Sequence, residues 1–191
     1  MLELPLYRAA FFKSEDGTGL EFMSMVSTPA IQKTYIKFSN VTPVKFQVQD
    51  EGKGIVFAPA LIPNMPIYRE TKELGKFYMY FTEDDIENIV LDWISSGKIN
   101  SFNIEHDKQV SGIKPMTVLI TNPKTVNTVV GFEDMPMGTF FLGAKVENPN
   151  VLKMIKENLI NGWSIEGNFD LHPIQMVDIQ VAEAIIDHLI N

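Results

Sequence analysis

Short apolar segments separated by glycine and proline are the feature that most limits how this chain can fold. The segment Gly54–Leu61, for example, is brief and is followed by Pro63 and Pro66. Runs of this kind are typical of strands, whereas helices need longer periodic patterns. Because only a few helical patterns interrupt them, we expect an α+β fold. It should contain a mostly antiparallel sheet or barrel with a few packed helices.

Two stretches have clear helix starts. The first begins at Thr82, a good N-cap residue, with Asp85 three positions later as its capping-box partner. The second begins at Asn148-Pro149, with proline in the first position, and is expected to end at Gly162. A third helix is predicted over residues 177–189. The buried stripe of the second helix is predicted to be Val151, Leu152, Ile155 and Leu159.

Turn residues predict two pairs of neighbouring strands. Leu6–Phe12 and Leu20–Val26 flank a polar turn that contains two glycines. Val129–Phe132 and Thr139–Val146 flank the turn Pro136–Gly138. Short strand-like segments joined by such turns are typical of hairpins, so we expect both pairs to be adjacent in the fold.

Composition excludes several classes of function. The chain has 191 residues, of which 45% are apolar, and this suits a single domain over residues 1–191. Its net charge of −8 disfavours nucleic-acid binding, which needs clustered Lys and Arg. Without cysteine it has no disulfide or thiolate metal site. No apolar run approaches the ~20 residues of a membrane-spanning helix, and the start lacks a basic signal segment. We therefore expect a soluble intracellular domain with no cofactor, metal or membrane partner.

The candidate chemistry centres on Ser164, within the glycine-bracketed segment Gly162–Gly167. A serine nucleophile needs a base within hydrogen-bond reach. Of the three histidines, His188 fits the apolar face of the last predicted helix, and His172 lies on the same extended segment as Ser164. His106, which is distant in the chain and flanked by acidic residues, is therefore the expected base. The alternative to a catalytic pair is that Ser164 is an ordinary small residue at a tight turn and that His106 is a surface histidine unrelated to it.

Other interpretations of these residues are disfavoured. The nucleophile elbow of α/β-hydrolases needs a strand before the serine and a helix after it, whereas Ser164 follows a predicted helix. Glu105–Asp107 are adjacent, so on a strand their side chains alternate between faces and cannot all bind one metal ion. Trp163 is expected to pack in the core. Arg69 is expected to have a structural role rather than a substrate-binding one.

Four stretches resemble the phage capsid maturation (prohead) serine proteases, which are related to herpesvirus assemblin. They are Ser24–Ala30, Ala58–Pro63 with Pro66–Arg69, Asn103–Asp107 and Gly162–Gly167. The last two resemble the family's histidine and serine motifs. The counterpart of the first stretch follows the serine in the commoner branch and precedes it here. The chain thus resembles the circularly permuted, XkdF-like branch, which implies an assemblin-like, circularly permuted fold.

The resemblance implies a serine endopeptidase. It further implies that Ser164 attacks the scissile carbonyl and that His106 takes the serine proton and returns it to the leaving amine. Backbone N–H groups are expected to form the oxyanion hole. The implied substrates are phage scaffold and major capsid proteins, cleaved inside the assembling prohead in the host cytoplasm. Homo-oligomerisation stays open.

The third member of the triad has two candidates. The position that holds an acid in the commoner branch is Phe22 here, and Glu21, one residue away, faces the opposite side of a strand unless a bulge intervenes. Glu166 shares a strand face with Ser164, ~6.6 Å along the chain. We expect Glu166 to be the acid, with Glu21 as the second choice. The alternative function is a catalytically inactive protease-like scaffold or internal head protein; an esterase on a different fold is a third.

Overall fold

Three four-stranded sheets and two α-helices form the part of the chain that the computed structural model describes, residues 4–11, 18–29, 45–50 and 53–174. The helix predicted over residues 177–189 lies outside these ranges. No helix within them is long and apolar enough to cross a membrane. The strands are β1 (Leu6–Ala10), β2 (Gly19–Val26), β3 (Gln47–Asp50), β4 (Ile55–Leu61), β5 (Ile67–Thr71), β6 (Gly75–Tyr80), β7 (Phe102–Ile104), β8 (Lys108–Gln109), β9 (Ile113–Ile120), β10 (Phe140–Val146), β11 (Gly162–Asn168) and β12 (Asp170–Pro173), and the helices are α1 (Glu83–Ser95) and α2 (Pro149–Lys156).

The sheets have the strand orders β12-β1-β6-β5, β3-β4-β10-β9 and β11-β2-β7-β8. Seven of the nine strand pairs are antiparallel, and only β1–β6 and β2–β7 are parallel. The α+β class with mostly antiparallel sheets is therefore confirmed. None of the three sheets closes into a barrel within the described ranges, so the barrel form of the prediction does not hold.

Both predicted hairpins are wrong. β1 pairs with β6 and β12, whereas β2 pairs with β7 and β11 in a different sheet. β10 pairs with β4 and β9, and residues 129–132 form no strand. Turn residues show where a chain reverses, but the partners of a strand depend on side-chain packing with segments that are distant in sequence.

The start of α1 is confirmed as predicted. The Thr82 hydroxyl accepts from the Asp85 amide at 3.2 Å, and the Asp85 carboxylate accepts from the Thr82 amide at 2.9 Å. Arg8 of β1 donates to both carboxylate oxygens of Asp85, at 2.9 and 3.0 Å. Burial opposes ionisation, but the hydrogen bonds from Arg8 and Thr82 hold the pKa of Asp85 below its usual value. The resulting stabilisation is present at neutral pH and is lost as pH falls through the acidic range.

α2 starts at the predicted residue and ends earlier than predicted. The Asn148 side chain accepts from the amides of Asn150 and Val151, and Pro149 occupies the first turn. The helix ends at Lys156, and Asn158 then adopts a left-handed φ of 55°. Leu159, predicted to be buried, lies beyond the helix end and is 52% exposed.

One main hydrophobic core joins the three sheets and α1. Trp163 of β11 is completely buried in it, as expected, and its indole N–H donates to the Leu142 carbonyl of β10 at 3.0 Å. The Phe46 and Trp163 rings meet edge to face with centroids 4.9 Å apart. These contacts fix β11 against the neighbouring sheet, so the residues on the opposite face of β11 have a defined position.

Replacing Asp85 with Ala should destabilise the fold. The variant loses the capping box and the ion pair with Arg8, so the free energy of unfolding should fall by about 1–3 kcal/mol. Urea denaturation followed by circular dichroism measures it. The matched control is Glu87→Ala, an exposed acid of the same helix, which should change stability by less than about 0.5 kcal/mol. Equal losses in the two variants would contradict the role given to Asp85.

Candidate active site

A row of three polar side chains crosses the centre of the β11-β2-β7-β8 sheet. Trp163 points into the core, so by strand alternation Ser164 and Glu166 face the other side. Ser164 lies opposite Ser24 of β2, and Ser24 lies beside Asn103 of β7. Ser164, Ser24 and Asn103 are only 3%, 0% and 3% exposed. Buried polar groups require hydrogen-bond partners, and Ser24 and Asn103 are partners of each other.

His106 reaches this row from a tight turn after β7. Glu105 and His106 both have left-handed φ angles, 53° and 58°, and the Asp107 amide bonds to the Ile104 carbonyl at 3.1 Å. Such angles are unfavourable for residues other than glycine, by roughly 1–2 kcal/mol each. The Glu105 carboxylate accepts from the Ser27 amide at 2.6 Å and ties the turn to β2. The turn therefore folds the imidazole back over the sheet.

The imidazole of His106 contacts a serine on each side. Its Nε2 lies 3.0 Å from Ser164 Oγ, and its Nδ1 lies 2.9 Å from Ser24 Oγ. Ser24 Oγ also hydrogen-bonds to Asn103 Oδ1, and Asn103 Nδ2 donates to Glu166 Oε2 at 2.5 Å. Glu166 Oε2 is 3.6 Å from His106 Nδ1. All five side chains thus form one connected network.

The network determines where the protons sit. An ionised carboxylate only accepts, so the Asn103 amide must turn its NH₂ to Glu166 and its oxygen to Ser24. Ser24 then donates its single proton to Asn103, and its lone pair is left to accept from His106 Nδ1–H. A neutral imidazole protonated at Nδ1 has a free lone pair on Nε2, directed at Ser164. This is the tautomer that a general base needs.

His106 is neutral at pH 7. Burial lowers its pKa below the usual 6.5, and the nearby positive charge of Arg69 also lowers it. The carboxylates of Glu166 and Glu105 act in the opposite direction but do not overcome these effects. The unprotonated imidazole is therefore able to accept a proton from Ser164.

The two candidates for the acid are placed differently. Glu166 lies beside His106, whereas Glu21 forms an ion pair with Lys98 at 2.6 Å and has no contact with the imidazole. A register shift in the β11–β2 pairing makes Glu21 the extra residue of a bulge, with no partner on β11. That bulge does not bring Glu21 to His106, because it directs the carboxylate to Lys98.

The sequence did not identify Ser24 and Asn103 as site residues. Both were visible as the first residues of motif stretches, Ser24–Ala30 and Asn103–Asp107. Their role depends on β2 lying between β7 and β11, which local pattern does not reveal. His172, the histidine set aside, lies on β12 in a different sheet, and His188 is outside the described residues.

An open cleft of about 570 Å³ adjoins the network. His106 and Glu166 lie at its wall, and Arg69 of β5 lies there too, with Nη1 bonded to the Tyr68 carbonyl at 2.9 Å. Gly167 also lines it and packs tightly on β2, since an added Cβ would lie 2.1 Å from the Gly19 carbonyl oxygen. The apolar wall consists of Phe77, Met79, Ile165, Phe169 and Leu171. A concave, largely apolar site with a few polar groups is typical of ligand binding.

Comparison with known proteins does not identify a family. No protein-family model, no curated protein and no solved structure matches the chain. In the portion that the structure describes, no group of three or more His, Asp or Glu is placed to hold a metal ion. The contacts between the chain's own side chains are therefore the basis for assigning a function.

The proton arrangement is testable by ¹⁵N NMR of the histidine ring. Between pH 7 and 8, His106 should be the Nδ1–H tautomer, with a slowly exchanging Nδ1 proton. In Ser24→Ala this proton loses its nearest acceptor, so it should exchange with water at least about fivefold faster, as expected for one lost hydrogen bond. Ser27→Ala, an exposed serine near the end of β2, should leave it unchanged. An Nε2–H tautomer in the unmodified protein would contradict the arrangement.

Proposed function

We propose that this chain is a serine endopeptidase with Ser164 as the nucleophile and His106 as the general base. The observation that carries the proposal is the 3.0 Å contact between Ser164 Oγ and His106 Nε2. The neutral state of His106 and the hydrogen bond at its other nitrogen support it, because both prepare Nε2 to take the serine proton.

The proposed reaction has two stages. Ser164 Oγ attacks the scissile carbonyl as its proton moves to His106 Nε2, and His106 then protonates the departing amine. Water repeats the sequence on the acyl-enzyme and releases the second product. The imidazolium that forms transiently is stabilised by Glu166, 3.6 Å from Nδ1, and by the Ser24 oxygen. Glu166 thus acts directly through its charge and indirectly through Asn103 and Ser24.

The arrangement of the motif stretches supports a protease of the prohead type. Ser24–Ala30 begins in β2, Asn103–Asp107 begins in β7, and Gly162–Gly167 lies in β11. These strands are neighbours in one sheet although they are far apart in the chain, and β2, the first in sequence, lies between the other two. Such an order is expected from a circularly permuted, assemblin-like fold, which we include in the proposal.

An esterase of the α/β-hydrolase type is disfavoured by the surroundings of Ser164. The serine lies within β11 rather than at a sharp turn between a strand and a helix. A strand along one wall of an open cleft instead suits the extended backbone of a peptide substrate.

The proposed substrates are phage scaffold and major capsid proteins, cleaved within the assembling prohead in the host cytoplasm. The four motif stretches that resemble the prohead proteases support this part of the proposal. Homo-oligomerisation would place many copies beside their substrates in one particle. The proposal includes homo-oligomerisation only as a step that the protein needs in order to become active.

A second candidate function is an inactive, protease-like scaffold or internal head protein. The low exposure of Ser164, 3%, favours it, because a nucleophile must reach its substrate. The side chain of His106 is 38% exposed, so the site opens to solvent on the imidazole side. The two candidates differ in whether Ser164 reacts with an electrophile from the cleft.

A fluorophosphonate probe distinguishes the two candidates. Ser164 should displace fluoride and become phosphonylated, and Ser164→Ala should lower the labelling rate at least about 10³-fold. Because labelling needs the neutral imidazole and the pKa of His106 is lowered, the rate should fall as the pH decreases, with its midpoint below the usual imidazole pKa of about 6.5. Mass spectrometry of the labelled peptide measures both effects.

Ser27→Ala serves as the control and should be labelled like the unmodified chain. Labelling is measured at low and at high protein concentration, which separates an inactive site from one that needs oligomerisation. Label that persists in Ser164→Ala, or a folded protein that stays unlabelled at every concentration, would overturn the proposed enzyme.

A further inference from the structure

The two arginines of the chain have contrasting environments. Arg8 forms a bidentate ion pair with Asp85. Arg69 lines the cleft, and its one hydrogen bond within the described residues is to the Tyr68 carbonyl, a neutral acceptor. No carboxylate of the described ranges lies within ion-pair distance of it. A partly buried guanidinium therefore lines the cleft without an ion-pair partner among the described residues.

The surroundings of Arg69 strengthen its electrostatic effect. Burial lowers the pKa of Arg69 to about 10, so the side chain stays protonated at neutral pH. Arg69 of β5 pairs with Phe77 of β6, which contributes to the apolar wall. A charge in such surroundings attracts an opposite charge more strongly than a charge in water does. Glu166 lines the same cleft, but its carboxylate does not lie within ion-pair distance of the arginine; the contact found for it within that distance is with His106.

We propose that Arg69 binds the carboxylate of an Asp or Glu side chain of the peptide substrate, close to the bond that Ser164 attacks. Ile165 and Glu166, the residues that follow Ser164 on β11, line the same cleft as Arg69. His106, whose Nε2 contacts Ser164 Oγ, lines this cleft too, so a substrate residue bound to Arg69 shares the cleft with the general base of the proposed reaction. This inference rests on the proposed function for its place in catalysis, whereas the binding of a carboxylate does not depend on turnover.

The chemistry of arginine favours a carboxylate as the bound group. The planar guanidinium matches the two oxygens of a carboxylate and forms two parallel hydrogen bonds. One nitrogen, Nη1, already bonds to the Tyr68 carbonyl and holds the group in place. The cation also lowers the pKa of His106, so a bound anion is expected to raise it. Substrate binding thus makes His106 a stronger base at the moment it is needed.

Three small probes test the inference on the full chain. N-acetyl-glutamate amide carries only a side-chain carboxylate, N-acetyl-glutamine only a terminal carboxylate, and N-acetyl-glutamine amide neither. Each is titrated into ¹⁵N-labelled protein at pH 6, and the Nε–H signals of Arg69 and Arg8 are followed. We expect N-acetyl-glutamate amide to move the Arg69 signal and to bind at least about tenfold more tightly than the neutral amide. The Arg8 signal should not move, since Arg8 is already paired with Asp85.

Variants separate recognition from a structural role. In Arg69→Gln the preference for N-acetyl-glutamate amide over the neutral amide, read from the amide signals of Thr71 and Asn168 in the cleft, should fall to less than about twofold. Arg69→Lys keeps the charge and loses the fork geometry, so an intermediate preference is expected. A purely structural arginine would lower thermal stability in these variants and leave the unmodified protein with no preference between the probes.

The results distinguish the proposed carboxylate site at Arg69 from the proposed serine endopeptidase. Equal binding of all three probes, or tighter binding of the terminal carboxylate, would overturn the side-chain site. The titrations are repeated in Ser164→Ala. Because binding of the carboxylate does not require catalysis, this variant should keep the same preference. A protein that binds N-acetyl-glutamate amide selectively but resists the fluorophosphonate keeps the carboxylate site and loses the proposed enzyme. A protein that is labelled but shows no selectivity keeps the enzyme and loses the carboxylate site.

Discussion

The register of β2 between β11 and β7 is the constraint on which the site depends. It sets Ser164, Ser24 and Asn103 side by side on one face of the sheet. A slip of one residue in either pairing would turn a side chain to the opposite face and break the row. Trp163 resists such a slip, because its ring is completely buried and its N–H bonds to a neighbouring strand. The packing of the core thereby fixes the polar face.

The turn at Glu105 and His106 places the imidazole of His106 over the polar face of the sheet. Two consecutive residues with left-handed φ bend the chain back so that the imidazole lies over the row. Backbone strain of this kind is maintained only when the surroundings hold it, and the bond from the Ser27 amide to Glu105 does so. The strands position the two serines, and the strained turn positions the imidazole.

The network at His106 differs from a triad in which a carboxylate contacts the imidazole directly. The nearest group to Nδ1 is the Ser24 hydroxyl at 2.9 Å, and the Glu166 carboxylate lies farther away at 3.6 Å. Asn103 links the two and fixes the direction of every hydrogen bond between them. The neutral Ser24 hydroxyl, held in a defined orientation, favours the Nδ1–H tautomer of His106. The Glu166 carboxylate contributes a negative charge nearby.

Local sequence patterns predicted the parts of the structure that depend on interactions between residues close together in the chain. The capping box of Thr82 and Asp85 and the start at Asn148-Pro149 were readable, because each involves residues a few positions apart. The partners of each strand, the part played by Ser24 and Asn103, and the lack of an ion pair at Arg69 among the described residues were not, since each depends on strands that are distant in sequence. Ser164 and His106 were proposed as a pair from the positions of the three histidines and from motif resemblance, and the fold brings them together.

A crystal structure of the protein after treatment with diisopropyl fluorophosphate tests the central claim most directly. The account predicts phosphoryl density on Ser164 Oγ, with His106 Nε2 within hydrogen-bond distance of the adduct and Nδ1 still bonded to Ser24. Density on another residue, or an imidazole whose ring lies away from both serines, would contradict it.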